Sequence, residues 1–233
     1  MAERLLALSV AVALAALAST TDASAASAPT GAVAKTLAKY RTMMATLVQP
    51  RNMVFEYSEV RTGPTRMIST VHRVYRNQAG EQRNDTISID DSKLRPPHTQ
   101  TYKRATWPYA ADQFAVMAAD YEATFAGLAV VNGRKAYMYD TKRTSPGPFA
   151  VIQLALDPST GMPLRVRYIA SSSDCDGTGE IDFMQVGQYI LPSVVAAQCT
   201  IAGSGEFRHV IRFSNFSFPA VIPQDVLHPA GAS

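Results

Sequence analysis

After Pro50 the sequence is a long succession of short alternating segments divided by turn residues, and this narrows the fold class more than any other feature. Met53, Phe55 and Tyr57 share one side of the first segment, and Thr62-Gly63-Pro64 then turns the chain. Residues 67–75 are rich in β-branched and aromatic side chains, and Asn77-Gln78-Ala79-Gly80 supplies the next turn. Ile87 and Ile89 alternate within residues 83–90. Residues 122–131 and 134–141 flank Asn132-Gly133, the strongest short hairpin signal. Further strand-like segments cover 149–156, 164–170, 180–186, 189–200 and 207–218. Residues 96–108 read as irregular, and 109–119 as a short helix. The spacing is that of hairpins and lacks βαβ alternation, so the expected sheet is antiparallel, with about ten or eleven strands.

One strong helix precedes the strands. Apolar side chains at 33, 37, 40, 44, 47 and 48 follow the i, i+3/i+4 rule over residues 33–48, and Pro50 ends the run. A single helix cannot cover both faces of so large a sheet. A curled sheet with an incompletely filled apolar hollow is one solution, and such hollows hold apolar ligands. The aromatics favour this reading, because they recur on one parity of the strands. Phe55 with Tyr57, Tyr137 with Tyr139, Val166 with Tyr168, Ile181 with Phe183, and Ile211 with Phe213 are the pairs. An ordinary filled core is the competing explanation. The candidate lining is Phe55, Tyr57, Ile87, Ile89, Tyr137, Tyr139, Val166, Tyr168, Phe183 and Phe213.

The chain of 233 residues is 47% hydrophobic and 18% charged, which excludes disorder and suits one domain. A net charge of +3 is too small and too scattered to argue for nucleic acid. Arg4 precedes an uncharged run over residues 5–18, of signal-peptide length and too short to span a membrane. Ala23-Ser24-Ala25 and Ala26-Ser27-Ala28 both suit cleavage, so residues 1–25 are expected to leave and 26–233 to form the single mature domain. No later stretch is long enough to span, and no cysteine stands near the cleavage site to carry a lipid anchor. The alanine-rich signal is bacterial in style, which places the destination in the periplasm.

Cys175 and Cys199 are the two cysteines, and in an oxidising compartment they are expected to pair. Gly187 stands midway between them, so a hairpin turning there would set them opposite each other within disulfide reach. Closing that loop contributes about 3 kcal/mol. The bridge reads as structural, since no C-x-x-C motif is present.

The catalytic scan finds no H-E-x-x-H, G-x-S-x-G, P-loop or complete dinucleotide fingerprint. His72, His98, His209 and His228 lie far apart in sequence, no pair of carboxylates stands at a telling spacing, and no cofactor is implied. The stretch from Asp174 to Gln185 follows a calcium loop, with Asp174, Asp176, Thr178 and Asp182 at ligand positions and Gly179 at the turn. Gln185 stands where the closing bidentate carboxylate belongs, and the entering segment alternates like a strand. An acidic strand connection is preferred to a metal site.

A signal peptide, one helix and a long antiparallel meander together resemble the periplasmic outer-membrane lipoprotein carriers of the Lol type and their sorting-protein superfamily. The stretch from Val151 to Arg167, with Asp157-Pro158-Ser159-Thr160-Gly161-Met162-Pro163 at its centre, looks like the family's strand, turn and returning strand. The run from Ile211 to Phe218, followed by Ile222-Pro223 and Val226-Leu227, looks like its closing strand and tail. The resemblance implies an unclosed barrel whose concave face is covered by the N-terminal helix and short lid helices. It implies a monomeric, non-enzymatic carrier or chaperone whose partner is a lipid or an acylated lipoprotein. Arg66, Arg73, Arg76 and Arg83 are all eligible as the family's lid-closing arginine, and the cysteine pair and acidic turn depart from the carrier pattern. Residues 53–90, with His72-Arg73-Val74-Tyr75-Arg76 and Gly80-Glu81-Gln82-Arg83, lean toward the family's envelope-stress sensors, which bind a protein partner. A hydrolase would require histidine and carboxylate side chains to converge in the cleft.

Overall fold

The computed structural model describes residues 30–107, 109–171, 175–201 and 203–229. The signal segment and Asp174 lie outside the described residues. Helix α1 (Thr30–Ala45) leads into four strands, β1 (Met53–Thr62), β2 (Met67–Arg76), β3 (Gln82–Ile89) and β4 (Ser92–Tyr102). A connection containing one 3-10 turn (Ala111–Phe114) reaches β5 (Tyr121–Val131). Then follow β6 (Arg134–Arg143), β7 (Phe149–Leu156), β8 (Pro163–Ser171), β9 (Asp176–Val186), β10 (Tyr189–Ile201) and β11 (Gly205–Ser217). A short helix, α2 (Gln224–Leu227), closes the described chain.

All eleven strands form one antiparallel sheet in the order β4-β3-β2-β1-β11-β10-β9-β8-β7-β6-β5. It is a mainly β, curved, unclosed half-barrel. Two meanders are joined where the first strand pairs with the last. The sheet's edges, β4 and β5, are consecutive in sequence, so residues 103–120 must travel from one edge to the other. We call this segment the strap.

Three boundaries differ from the sequence expectation. Helix α1 stops at Ala45, where the N–H groups of Thr46 and Leu47 bond the carbonyls three residues back, at 3.2 and 3.5 Å, and tighten the last turn. Residues 96–102 belong to strand β4 despite Pro96 and Pro97, because an edge strand has outward N–H groups with no partner to lose. Within the expected 109–119 helix only Ala111–Phe114 turns helically.

The register carries one row of side chains across the sheet. It runs Phe125, Tyr139, Leu154, Val166, Ile181, Val195, Ile211, Glu59, Thr70 from β5 to β2. Helix α1 lies over the β5–β9 end of this face, where Tyr40 and Met44 join Tyr139, Leu154, Leu156, Val166 and Ile181 in the core. Each such buried side chain contributes about 2 kcal/mol. The helix is pinned by the turn after β7. Thr36 Oγ1 donates to the Pro158 carbonyl at 3.0 Å, Lys39 Nζ to that of Ser159 at 2.5 Å, and Tyr139 Oη to that of Val33 at 2.8 Å. Asp157 Oδ1 organises the turn by accepting the N–H groups of Ser159 and Thr160, both at 3.0 Å, which holds its carboxyl below the usual range despite burial. The C-terminal tail covers the other face near β2 and β3, where Arg83 Nη1 donates to the Val226 carbonyl at 2.9 Å.

Cys175 and Cys199 are disulfide-bonded, with Cα atoms 5.8 Å apart. They are not directly opposed, as the spacing suggested. Two residues, Gly187 and Gln188, turn the hairpin, and a bulge between Pro192 and Val194 shifts the register further. Cys199 therefore faces Gly177 and takes Cys175 diagonally. Gly177 is itself tightly placed: a Cβ there would lie 2.8 Å from the Gln198 carbonyl oxygen, while its 3.7 Å to Cys175 Sγ and Cys199 Cβ is ordinary contact.

Candidate functional site

Strand β1 sets Phe55, Tyr57, Glu59 and Arg61 in sequence along the inward face, so one strand runs from aromatic to carboxylate to guanidinium. Its neighbours add Val74 and His72 from β2, Asn84 from β3, and His209, Ile211 and Phe213 from β11. The strap crosses above them. Trp107 meets Phe55 edge-on with centroids 5.0 Å apart and Phe213 at 5.8 Å, and Tyr109 meets Phe213 at 6.0 Å. Between strap and sheet lies a cavity of about 220 Å³, walled by the rings of Phe55, Tyr57, Trp107, Tyr109 and Phe213 and by Glu59, Arg61, Asn84 and His209 at its polar end.

The carboxylate is the hub of that end. Glu59 is only 6% exposed. Arg61 Nε donates to its Oε1 at 2.5 Å, and His209 Nε2 approaches the same oxygen as an ion pair. His72 Nε2 stands 3.8 Å from Oε2 and 2.7 Å from Thr70 Oγ1, while its Nδ1 stands 3.2 Å from Thr86 Oγ1. Tyr57 stacks on the His72 ring at 4.5 Å, and Asn84 Nδ2 donates to Tyr57 Oη at 3.2 Å. Burial alone would raise the Glu59 carboxyl, but hydrogen bonds from His209 and Arg61 hold it down at about 2. Burial lowers His72, against the pull of Glu59, and pushes the Tyr109 hydroxyl up to about 12.

The histidines that looked unrelated in sequence are thus partly assembled, with His72 and His209 sharing one carboxylate. Neither Glu59 nor His72 is placed to act as the base itself. A carboxyl held near 2 is too weak a base to remove a substrate proton efficiently near neutrality, and the His72 ring is covered by Tyr57.

Arg61 and His209 also border an open groove of about 670 Å³ at the ends of the β1–β2 and β10–β11 hairpins. Cavity and groove share these two residues as a common wall. Polar contacts tie the strap at both ends and to α1. Ala105 N donates to the Gly80 carbonyl at 2.8 Å, Arg76 Nη1 to the Ala105 carbonyl at 2.7 Å, and Thr144 N to the Asp120 carbonyl at 2.9 Å. Val116 N donates to Tyr40 Oη at 2.8 Å, Arg41 Nε to the Val116 carbonyl at 3.4 Å, and Gln49 Nε2 to Asp112 Oδ1 at 2.9 Å.

The ten residues expected to line a hollow are spread over the half-barrel. Phe55, Tyr57 and Phe213 line the cavity. Tyr139, Val166 and Phe183 are buried in the core, with Tyr137 and Tyr168 packed against it. Tyr168 lies across Gly179 and meets Phe114 of the strap at 5.4 Å. Ile87 is half-buried and Ile89 exposed on β3. Sequence reasoning missed Glu59, Arg61, Asn84, Trp107, Tyr109 and His209. Glu59 and Arg61 continue the parity of Phe55 and Tyr57, and His209 that of Ile211 and Phe213, so polar residues on an inward parity were the available signal. Residues 176–185 of the calcium-loop-like stretch belong to strand β9, with 176–182 paired on both sides. Among the described residues, no group of three or more His, Cys, Asp or Glu side chains is arranged to hold a metal ion. No described helix is long and apolar enough to cross a membrane.

Fold and site together define an open single-sheet half-barrel with a strapped aromatic hollow. No family model matches the chain, and no curated protein does. Among solved structures the chain is similar to a LolA superfamily protein from Nitrosomonas europaea, at 9% identity over 84% of this chain and 96% of that one, with a TM-score of 0.43. It is similar to an outer membrane lipoprotein-sorting protein domain from Vibrio parahaemolyticus, at 12% identity over 84% and 97%, with a TM-score of 0.45. It is also similar to the MucA/MucB complex from Pseudomonas aeruginosa, at 11% identity over 86% and 97%, with a TM-score of 0.24. These are likenesses of fold, and what the chain does has to be read from its own residues.

Proposed function

We propose that this chain is a binding protein for an amphiphile with an apolar tail, such as an acyl chain or a similar lipid, and serves as its carrier or chaperone. The tail lies between the Phe55–Phe213 face and the strap, and leaves through the groove past Arg61 and His209. The observation that carries this reading is the shared wall of an aromatic cavity of about 220 Å³ and an open groove of about 670 Å³. Together they fall in the size range of small-molecule sites, roughly 300–1,000 Å³. Each methylene taken from water contributes about 0.8 kcal/mol, so a sixteen-carbon tail supplies about 12 kcal/mol before the costs of binding.

In this proposal residues 1–25 are an export signal, 26–233 a single periplasmic domain, and the protein is not an enzyme. Native mass spectrometry of the exported, processed chain, purified without detergent, tests it. A bound mass that disappears on organic extraction and fragments as a lipid supports the reading. An unliganded mass that persists after incubation with lipids and lipopeptides overturns it and favours a protein-binding sensor.

A further inference from the structure

The groove outside the cavity bears on the head of the amphiphile, an inference that rests on the binding function proposed above. Its apolar wall includes Ile68, Ala197, Cys199 and Phe207, with Phe207 36% exposed. Among the described residues that line it there is no Asp or Glu, whereas Arg61, Arg66, Arg208 and His209 all border it.

Strand alternation sorts these cations by face. Arg61 faces Ile68 across the β1–β2 ladder and His209 across the β1–β11 ladder, so all three share the inward side. Gly63 N donates to the Arg66 carbonyl at 2.8 Å, which places Arg66 two residues before Ile68 on that same side. Arg208 is opposite Thr62 on the other side, where its Nε donates to Glu206 Oε1 at 2.7 Å. The mouth's cations are therefore Arg61, Arg66 and His209.

Their compensation is incomplete. Arg61 and His209 both lean on Glu59, which carries one negative charge. Arg66 is exposed, and among the described residues no acidic group makes an ion pair with it. The mouth keeps a surplus positive charge whichever protonation state His209 holds. A guanidinium at the rim of an apolar groove suits a planar or tetrahedral oxyanion, which it can grip with two parallel N–H bonds.

We propose that the mouth selects amphiphiles with an oxyanion head, a carboxylate or a phosphate, and that Arg66 is the residue that reads it, with Arg61 beside it. The tail occupies the apolar groove and cavity while the head stays at the rim, in water. An uncharged head of the same chain length gains nothing from Arg66.

Titrating the chain with dodecanoate, dodecyl phosphate and dodecanol, each below its aggregation concentration, tests this through the fluorescence of Trp107. The expected result at low salt is that both anions bind about tenfold more tightly than the alcohol, and that added salt narrows the gap. Arg66→Ala should weaken dodecanoate about tenfold and remove its advantage, while Arg208→Ala keeps it. Equal affinity for acid and alcohol overturns the proposal, as does an advantage that survives Arg66→Ala. Displacement of dodecanoate by micromolar inorganic phosphate would make this a free-anion site and overturn the head-group assignment. If the alcohol binds and the acid does not, the amphiphile reading stands and the selectivity inference fails. If none of the three binds, both fail.

Discussion

The two halves of the inward face differ in what lies on top of them. Along a single row of the register, Tyr139, Leu154, Val166, Ile181 and Val195 are each at most 1% exposed, and the same row then reaches Glu59 on β1. Beneath the middle of α1 the face is filled by apolar side chains. Beneath the strap it carries a carboxylate, two histidines and a cavity. The middle of the helix inserts Tyr40 and Met44 into the core, while the strap spans its gap with a few large rings and leaves space between them. On the proposed function, stability rests on the first half and binding on the second.

The largest effect that would sharpen this contrast comes from Gly161. Its φ is +78°, and a Cβ there would lie 2.8 Å from Tyr40 N and from Lys39 Cβ. Gly161→Ala should lift α1 from its turn and cost about 4 kcal/mol, read as the shift in urea midpoint times the m-value. Leu154→Ala in the filled half should cost about 3 kcal/mol while leaving amphiphile affinity within twofold, as isothermal titration would show. A loss of affinity as large as the loss of stability would break the division of labour.

Trp107→Ala acts in the other half. It should cost about 1–2 kcal/mol of stability, because the ring is half-buried, yet weaken dodecanoate at least tenfold in a competition assay. A fourth expected effect is pH-linked. The folded Glu59 carboxyl sits at about 2 against an ordinary value of 4.5, so its contribution is present above about pH 4.5 and is lost as pH falls through 2. Chemical denaturation at a series of pH values should show Glu59→Gln with a flatter acid limb than the parent between pH 4.5 and 2. An unchanged slope would remove Glu59 from the role of hub.

Much of the fold was legible because alternation and turn chemistry are local. Asn132-Gly133 takes φ values of 50° and 76°, as its hairpin requires, and the strands around it alternate cleanly. Strand β4 escaped because Pro96 and Pro97 forbid a central strand, and nothing local says that a segment is an edge. The cysteine register was misjudged because the turn takes two residues, Gly187 and Gln188, and a bulge near Ser193 shifts every later pair once more. Parity brought Phe55, Tyr57 and Phe213 forward, yet the polar half of the site depends on β1 meeting β11, some 150 residues away. That closure, which brings His209 to Glu59, has no short-range signature.

Trp107 is the protein's one tryptophan and stands in the cavity wall, so it reports on an occupant of the cavity without a label. Titration with palmitate brominated along its tail is the most direct measurement. The expected result is saturable quenching of Trp107 at about one ligand per chain, reversed by unbrominated palmitate. Fluorescence that stays constant through the titration would contradict an acyl chain between strap and sheet.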